Sequence, residues 1–167
     1  MDDNVTKKDI FRNKDLRQDL EIDMFLKEYN KNHNSDFRVF QKRDKPDYLI
    51  KDSSGTILGV ELSSVYMNDR TVVDEHLRED PTDIPYDSDT HQNIRNNYFR
   101  RIVDKIKDKA NKIDTGQYDI SYLIILSLYL NDYYTIHIDN SEWQLFIEMN
   151  NHIFSNSKEF KEVFLIK

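Results

Sequence analysis

The segment from Ile57 to Tyr66 (ILGVELSSVY) alternates between two kinds of side chain, and this alternation constrains the fold more than any other part of the sequence. The members of the two sets are Leu58, Val60 and Leu62 on one side and Gly59, Glu61 and Ser63 on the other. Because successive side chains of a strand point to opposite faces, the pattern predicts a strand with one apolar face. Its other face carries an acid, Glu61, at its centre.

Periodicity and turn residues predict the remaining elements. The first half of the chain has a helix over Lys14–Asn30 with an apolar stripe of Leu16, Leu20 and Met24, followed by strands over Phe37–Gln41 and Asp47–Ile50. The second half has a helix over Thr90–Lys112, strands over Asp119–Leu130 and Tyr133–Ile138, and a helix over Ser141–Ile153 with Ser141 as its N-cap. The last element, Phe160–Ile166, is a strand or a strand-like tail. This order predicts an α/β fold of mixed type, with a central mixed sheet flanked by helices. We expect a single domain over residues 1–167, with a loose arm at 1–13 and a long acidic loop at 67–90.

The same patterns predict which residues form the core. We expect ten residues to be buried: Tyr48, Ile50, Leu58, Val60, Leu62, Ile102, Ile106, Leu123, Ile125 and Leu126.

Composition excludes several classes of protein. The chain has no cysteine, which excludes a disulfide scaffold, a thiolate zinc site and a cysteine nucleophile. Its polar beginning and its lack of a long apolar run favour a cytoplasmic protein that does not enter membranes. The net charge of −7 argues against coating nucleic acid, but the balance is +5 between His91 and Ile113 and −6 between Asn68 and Thr90. Such asymmetry is typical of a basic groove beside an acidic flap, and equally of a solvated helix beside a solvated loop.

The second and third strands predict a candidate metal site. If they form a hairpin around the turn at 52–56, paired residue numbers sum to 108, so Asp47 lies opposite Glu61. Two facing carboxylates repel unless a cation or a proton lies between them, and Mg²⁺ or Mn²⁺ accepts such oxygen ligands. The alternative interpretation is that Asp47 caps a turn while Glu61 is a partly exposed strand residue. The five histidines show no metal-ligand spacing.

The string Pro46-Asp47, an apolar strand, a turn and then Gly59-Val60-Glu61-Leu62-Ser63 resembles the signature of the PD-(D/E)XK, or restriction-endonuclease-like, nucleases. The resemblance implies a core of a helix, a three-stranded meander, a helix and a further strand, with Asp47 and Glu61 as metal ligands. It also implies an additional acid on the first helix, either Glu21 or Glu28. The sequence departs from the signature at Ser63, where the family has a lysine that orients or deprotonates the attacking water.

Another base must supply that cation if the chain is a nuclease. On the helix after the acidic loop, Arg95 falls within the apolar stripe and Lys109 lies at its edge, while Lys45 is two residues from Asp47. We rank Arg95 first, Lys109 second and Lys45 third. The alternative for Arg95 is a structural ion pair.

Three functions agree with these observations. The first is a magnesium-dependent nuclease acting on DNA or RNA, in phage defence, restriction or mobile-element maintenance. The second is a nuclease-like module that has lost catalysis and binds a nucleic acid or a protein. The third is an acidic inhibitor of a nucleic-acid-binding partner.

Overall fold

A computed structural model describes residues 13–66, 88–131, 138–155 and 157–167. Its helices are α1 (Lys14–His33), α2 (Ser88–Asp114), α3 (Asn140–Met149) and α4 (Asn151–Phe154), and its strands are β1 (Arg38–Lys42), β2 (Tyr48–Lys51), β3 (Ile57–Tyr66), β4 (Ile124–Asn131) and β5 (Glu162–Ile166).

The strands form one mixed sheet in the order β1-β2-β3-β4-β5. The first three are antiparallel neighbours, whereas β3, β4 and β5 run parallel. Parallel neighbours need a long crossover, and α2 lies between β3 and β4 in the chain. The predicted α/β fold with a mixed sheet is therefore confirmed.

Each face of the sheet carries its own apolar core. One core joins α1 to the sheet through Phe25, Tyr29, Val60 and Phe164 among others, and Phe25 packs edge-on against Phe164 with ring centroids 5.7 Å apart. The other core joins α2, α3 and α4 to the opposite face, where Ile102 and Ile106 of α2 are buried. Because β3 and β4 contribute to both cores, the middle of the sheet is covered on both sides.

The buried stripe of α1 differs from the prediction. The helix exists, but Leu16 and Met24 are exposed, and its buried residues are Ile22, Phe25 and Tyr29. These three also follow helical spacing, and the aromatic rings of Phe25 and Tyr29 bury more surface than aliphatic side chains at these positions would.

The prediction of a strand from Asp119 was wrong at its start, since β4 begins at Ile124. Asp119 accepts a hydrogen bond from the backbone N–H of Ser121 (3.0 Å), which is a turn conformation that competes with a strand. Leu123, predicted in the core, lies beside this turn and is 64% exposed. The other nine predicted core residues are buried.

The N-cap of α3 is also two residues earlier than predicted, and the helix begins at Asn140. Asp139, rather than Ser141, is the N-cap, and it forms a capping box with Glu142. The Ser141 hydroxyl donates to the Asp139 carboxylate (2.6 Å), so Ser141 supports the cap without being it. The predicted arm lies outside the described residues except for residue 13, as do residues 67–87 of the acidic loop and nearly all of the predicted strand at 133–138.

Candidate active site

The pairing of β2 with β3 brings the two predicted carboxylates together. Tyr48 pairs with Val60 and Lys51 with Ile57, which confirms the predicted register. Asp47, one residue before β2, therefore comes opposite Glu61. Both acids are buried, with 9% and 3% of their surfaces exposed.

The residues around Asp47 explain its position. Pro46 lies against Gly59 of the neighbouring strand so closely that a Cβ at position 59 would be 2.8 Å from the proline Cγ. Glycine is therefore required at this position for the Pro46-Asp47 segment to approach β3. The Asp47 carbonyl also accepts a hydrogen bond from the backbone N–H of Arg43 (2.7 Å), which ties the segment to the end of β1.

Both carboxylate oxygens of Asp47 accept hydrogen bonds. The side-chain amide of Gln18 on α1 donates to Oδ1 (2.9 Å), and the backbone N–H of Leu62 donates to Oδ2 (2.8 Å). Asp47 is thus fixed between α1 and β3 instead of capping the hairpin turn, which is the role of Asp52.

Glu61 is held through one oxygen only. Lys109 of α2 and the phenol of Tyr118 both donate to Oε1, at 2.5 and 2.6 Å. The other oxygen, Oε2, is buried without a hydrogen-bond partner among the described residues. An unpartnered buried carboxylate oxygen is energetically unfavourable, so a cation or a hydrogen-bond donor bound at Oε2 would stabilise the site.

The charges at this site do not balance. Asp47 and Glu61 bring two acids, and within the described part of the chain Lys109 alone forms an ion pair with either. Burial and the neighbouring Glu61 charge raise the pKa of Asp47 to about 6. Burial and the Glu61 carboxylate likewise raise the pKa of Tyr118, which keeps the phenol protonated as a donor. The pair therefore favours an additional proton or cation.

A third acid lies nearby on α1. Glu21 accepts a hydrogen bond from the Ser64 hydroxyl (2.9 Å), and burial raises its pKa. It lines the same cavity as Asp47 and Glu61. Glu28 lies two helical turns further along α1, about 10 Å away along the axis, and is not among the residues described as lining that cavity.

The three acids open into a cavity of about 440 Å³ between α1, the sheet and α2. Its bases are Lys14, Arg17, Lys45, Lys105, Lys109 and Lys112, and its acids are Glu21, Asp44, Asp47 and Glu61. The described lining therefore carries six bases against four acids, although the whole chain is acidic. A cavity with buried acids and a basic rim suits a ligand that brings phosphate and a metal ion together.

The structure reorders the candidate bases. Lys109, ranked second, contacts Glu61 directly, and Lys45 lines the cavity with its Nζ 3.5 Å from the side-chain oxygen of Gln117. Ser63 also lines the cavity. Arg95, ranked first, instead forms an ion pair with Glu142 of α3 (2.6 Å) and donates to Gln92.

The distance along α2 explains why Arg95 belongs elsewhere. It precedes Lys109 by fourteen residues, which corresponds to about 21 Å of helix. The structural ion pair, given above as the alternative for Arg95, is therefore the arrangement observed.

Two contributing residues, Gln18 and Tyr118, escaped the sequence analysis. Gln18 lies on a polar face of α1 that also carries Lys14, Arg17 and Glu21. This cluster of polar residues at helical spacing is the sequence feature that could have indicated a role for Gln18. Tyr118 follows Gly116, which has a positive φ of 73° at the end of α2. Nothing in its local sequence marks Tyr118 as different from the other nine tyrosines.

Asp47 and Glu61 fit a small hard cation that takes its other ligands from water and phosphate. Among the described residues there is no group of three or more histidine, cysteine, aspartate and glutamate side chains that could hold a metal ion by themselves. Magnesium, however, retains several waters and is commonly held by one or two carboxylates together with substrate phosphate. The facing acids and the unpartnered Glu61 Oε2 fit that arrangement.

Comparisons of the chain with protein-family models, with curated proteins and with solved structures find no match. None of the described helices is long and apolar enough to cross a membrane.

Proposed function

We propose that this chain is a metal-dependent phosphodiesterase that hydrolyses DNA or RNA, a PD-(D/E)XK-type nuclease in which Lys109 of α2 replaces the lysine expected at position 63. The observation that carries the proposal is the buried pair of Asp47 and Glu61, of which Glu61 leaves Oε2 unpartnered among the described residues. The order of helix, antiparallel meander, helix and parallel strand supports it as well.

Asp47 and Glu61 would hold Mg²⁺ or Mn²⁺. Such an ion, when bound, acidifies a water ligand and neutralises charge that develops on phosphate. The chain's own contribution is to hold both carboxylates in place before the ion arrives. Gln18 and Leu62 fix Asp47, and Tyr118 and Lys109 fix Glu61.

Hydrolysis forms a bond from a water oxygen to phosphorus and breaks the bond from phosphorus to one ester oxygen. The water loses a proton, and the released oxygen takes one up. Lys109 places a partly buried ammonium group beside the carboxylates, where it can stabilise the negative charge of the transition state. The remaining bases of the cavity rim can bind the phosphates on either side.

Metal binding provides the first test. We expect calorimetric titration with MgCl₂ or MnCl₂ to show binding in the parent protein and none in Asp47→Asn or Glu61→Gln. The matched control is Asp23→Asn, because Asp23 is an exposed acid on α1. Equal binding in the parent and in both site variants would place the ion elsewhere and overturn the proposal.

Catalysis provides the second test. Magnesium-dependent cleavage of a mixture of DNA and RNA oligonucleotides should disappear in Lys109→Met and persist in Lys107→Met, whose lysine is exposed on the same helix. Ser63→Lys combined with Lys109→Met should restore part of the activity, because Ser63 lines the same cavity. Cleavage that survives both Glu61→Gln and Lys109→Met would show that the chemistry lies elsewhere.

Binding without hydrolysis is the second candidate function, and the contact between Lys109 and Glu61 favours it. The ammonium group already neutralises Glu61, so the basic rim could bind nucleic acid without a metal ion. A parent protein that binds oligonucleotides with micromolar affinity in EDTA, but neither binds magnesium nor cleaves, would favour this candidate.

A further inference from the structure

A second cavity adjoins the first. It encloses about 330 Å³ between the end of β3 and α2. Ser64, Tyr66 and Lys105 line both cavities, so the two form one continuous surface. Volumes of this size are typical of small-molecule sites.

The two cavities differ in charge. The first has more bases than acids, whereas in the described lining of the second Arg101 and Lys105 are balanced by Asp104 and Asp108. Lys112 of the first cavity donates to Asp108 of the second (2.8 Å). The basic lining of the first cavity and the balanced lining of the second therefore meet at this ion pair.

The second cavity has the chemistry of a nucleobase site. A base is flat and uncharged, and it carries both donors and acceptors at its edge. Tyr66 contributes an aromatic ring to the lining, Asp104 contributes acceptor oxygens and Lys105 contributes a donor. The Ser64 hydroxyl donates to Glu21, so its oxygen can act as an acceptor. Aromatic rings beside a basic groove are a common way of binding single strands.

We propose that the second cavity binds an unpaired nucleobase next to the phosphate held in the first, so that the substrate is single-stranded. This inference rests on the proposed function. In a duplex the base is stacked and its pairing edge is occupied, so it cannot enter a side cavity while its phosphate reaches acids that are only 3% and 9% exposed. A single strand can separate its base from its neighbours and place base and phosphate in the two cavities.

Binding to defined probes tests the inference. The probes are a fluorescein-labelled 12-nucleotide DNA strand of mixed sequence, the same sequence as RNA, and its blunt DNA duplex. Fluorescence anisotropy is measured in CaCl₂, with gels to verify that the probes stay intact. We expect at least one single strand to bind about tenfold more tightly than the duplex, since paired bases are excluded from the second cavity.

The variant Tyr66→Ala tests whether the preference for single strands arises in the second cavity. Loss of one stacked base should weaken single-strand binding by about 5-fold to 100-fold and leave duplex binding unchanged. The matched control is Tyr122→Ala, a half-buried tyrosine that lines neither cavity as described. Magnesium titration of Tyr66→Ala should match that of the parent protein, because Tyr66 lies five residues beyond Glu61 on the same strand, which corresponds to about 16 Å along β3.

The outcomes separate the two proposals. Equal binding of duplex and single strands, or equal effects of Tyr66→Ala and Tyr122→Ala, overturns the nucleobase subsite, and magnesium binding at Asp47 and Glu61 would still stand. Absence of magnesium binding overturns the proposed function, whereas single-strand preference that depends on Tyr66 would still support the subsite. A parent protein that binds none of the three probes overturns the subsite.

Discussion

The two faces of β3 bury side chains of different kinds. On the face toward α1, Leu58, Val60 and Leu62 pack in an apolar core. On the face toward α2, Glu61 is buried equally well, at 3% exposure, but as a charged group. Its partners reach it from elements far away in sequence, since Lys109 and Tyr118 lie 48 and 57 residues later.

Within this one strand, the residues that stabilise the fold and those that suit a ligand lie on opposite faces. Burial of apolar groups is favourable at almost any position, whereas a buried charge requires defined partners. Glu61 has such partners for one oxygen and, among the described residues, none for the other. The α1 face therefore serves mainly to stabilise the fold, and the α2 face retains an unsatisfied site that suits a ligand.

The largest expected effect comes from breaking the ion pair on the α2 face. Lys109→Met leaves Glu61 as an uncompensated buried charge, which should lower the free energy of unfolding by about 3 to 5 kcal/mol in EDTA. Urea denaturation measures the change, and Lys107→Met should shift stability by less than about 0.5 kcal/mol. Combining Glu61→Gln with Lys109→Met should recover most of the loss. A double variant as unstable as Lys109→Met would mean that packing of the lysine stem matters more than its charge.

The pH dependence of the acid pair should be somewhat smaller. The pKa of Asp47 rises from 3.8 to about 6 on folding, so the folded state binds a proton more tightly than the unfolded state. Its contribution to stability is present at low pH and is lost as pH rises through about 6, by up to roughly 3 kcal/mol.

Urea midpoints in EDTA between pH 3.5 and 7.5 test this sign, with Asp47→Asn as the reference that lacks the titration. Magnesium should reduce the difference between the parent and Asp47→Asn near pH 7, since a bound cation favours the ionised carboxylate. A parent protein that gains stability relative to Asp47→Asn as pH rises in EDTA would contradict the assignment.

On the apolar face, Val60→Ala should lower the free energy of unfolding by about 2 kcal/mol, because it leaves a cavity in a core where Val60 is fully buried. The control is Val39→Ala on β1, where the valine is 44% exposed. Magnesium affinity should stay within threefold of the parent value. A loss of metal binding that accompanies Val60→Ala would mean that the two faces are coupled.

The smallest expected effect belongs to Tyr118. Tyr118→Phe removes one hydrogen bond to a buried carboxylate and keeps the ring, so it should lower stability by about 1.5 kcal/mol. The control is Tyr122→Phe. Magnesium affinity should also fall, because Glu61 loses one of the two donors that fix its orientation. Unchanged stability and unchanged metal affinity would show that Lys109 alone holds Glu61.

Local patterns predicted the elements well where one periodicity dominated. β3 has the predicted bounds, and the sum of paired residue numbers across the β2–β3 hairpin is as predicted. Where two local preferences competed, prediction was less accurate. Asp119 forms a turn at the start of an apolar run, and the capping box of Asp139 and Glu142 begins α3 two residues before Ser141, the predicted N-cap.

The sequence by itself determined the class of the fold, nine of ten named core residues and the meeting of Asp47 with Glu61, because alternation and hairpin register are short-range properties. Only the tertiary structure decided which base accompanies the acids. Arg95 and Lys109 lie on the same helix, and the choice between them depends on where α2 crosses β3, which no local pattern encodes. The same holds for Gln18 and Tyr118, whose roles arise from contacts with residues 29 and 57 positions away.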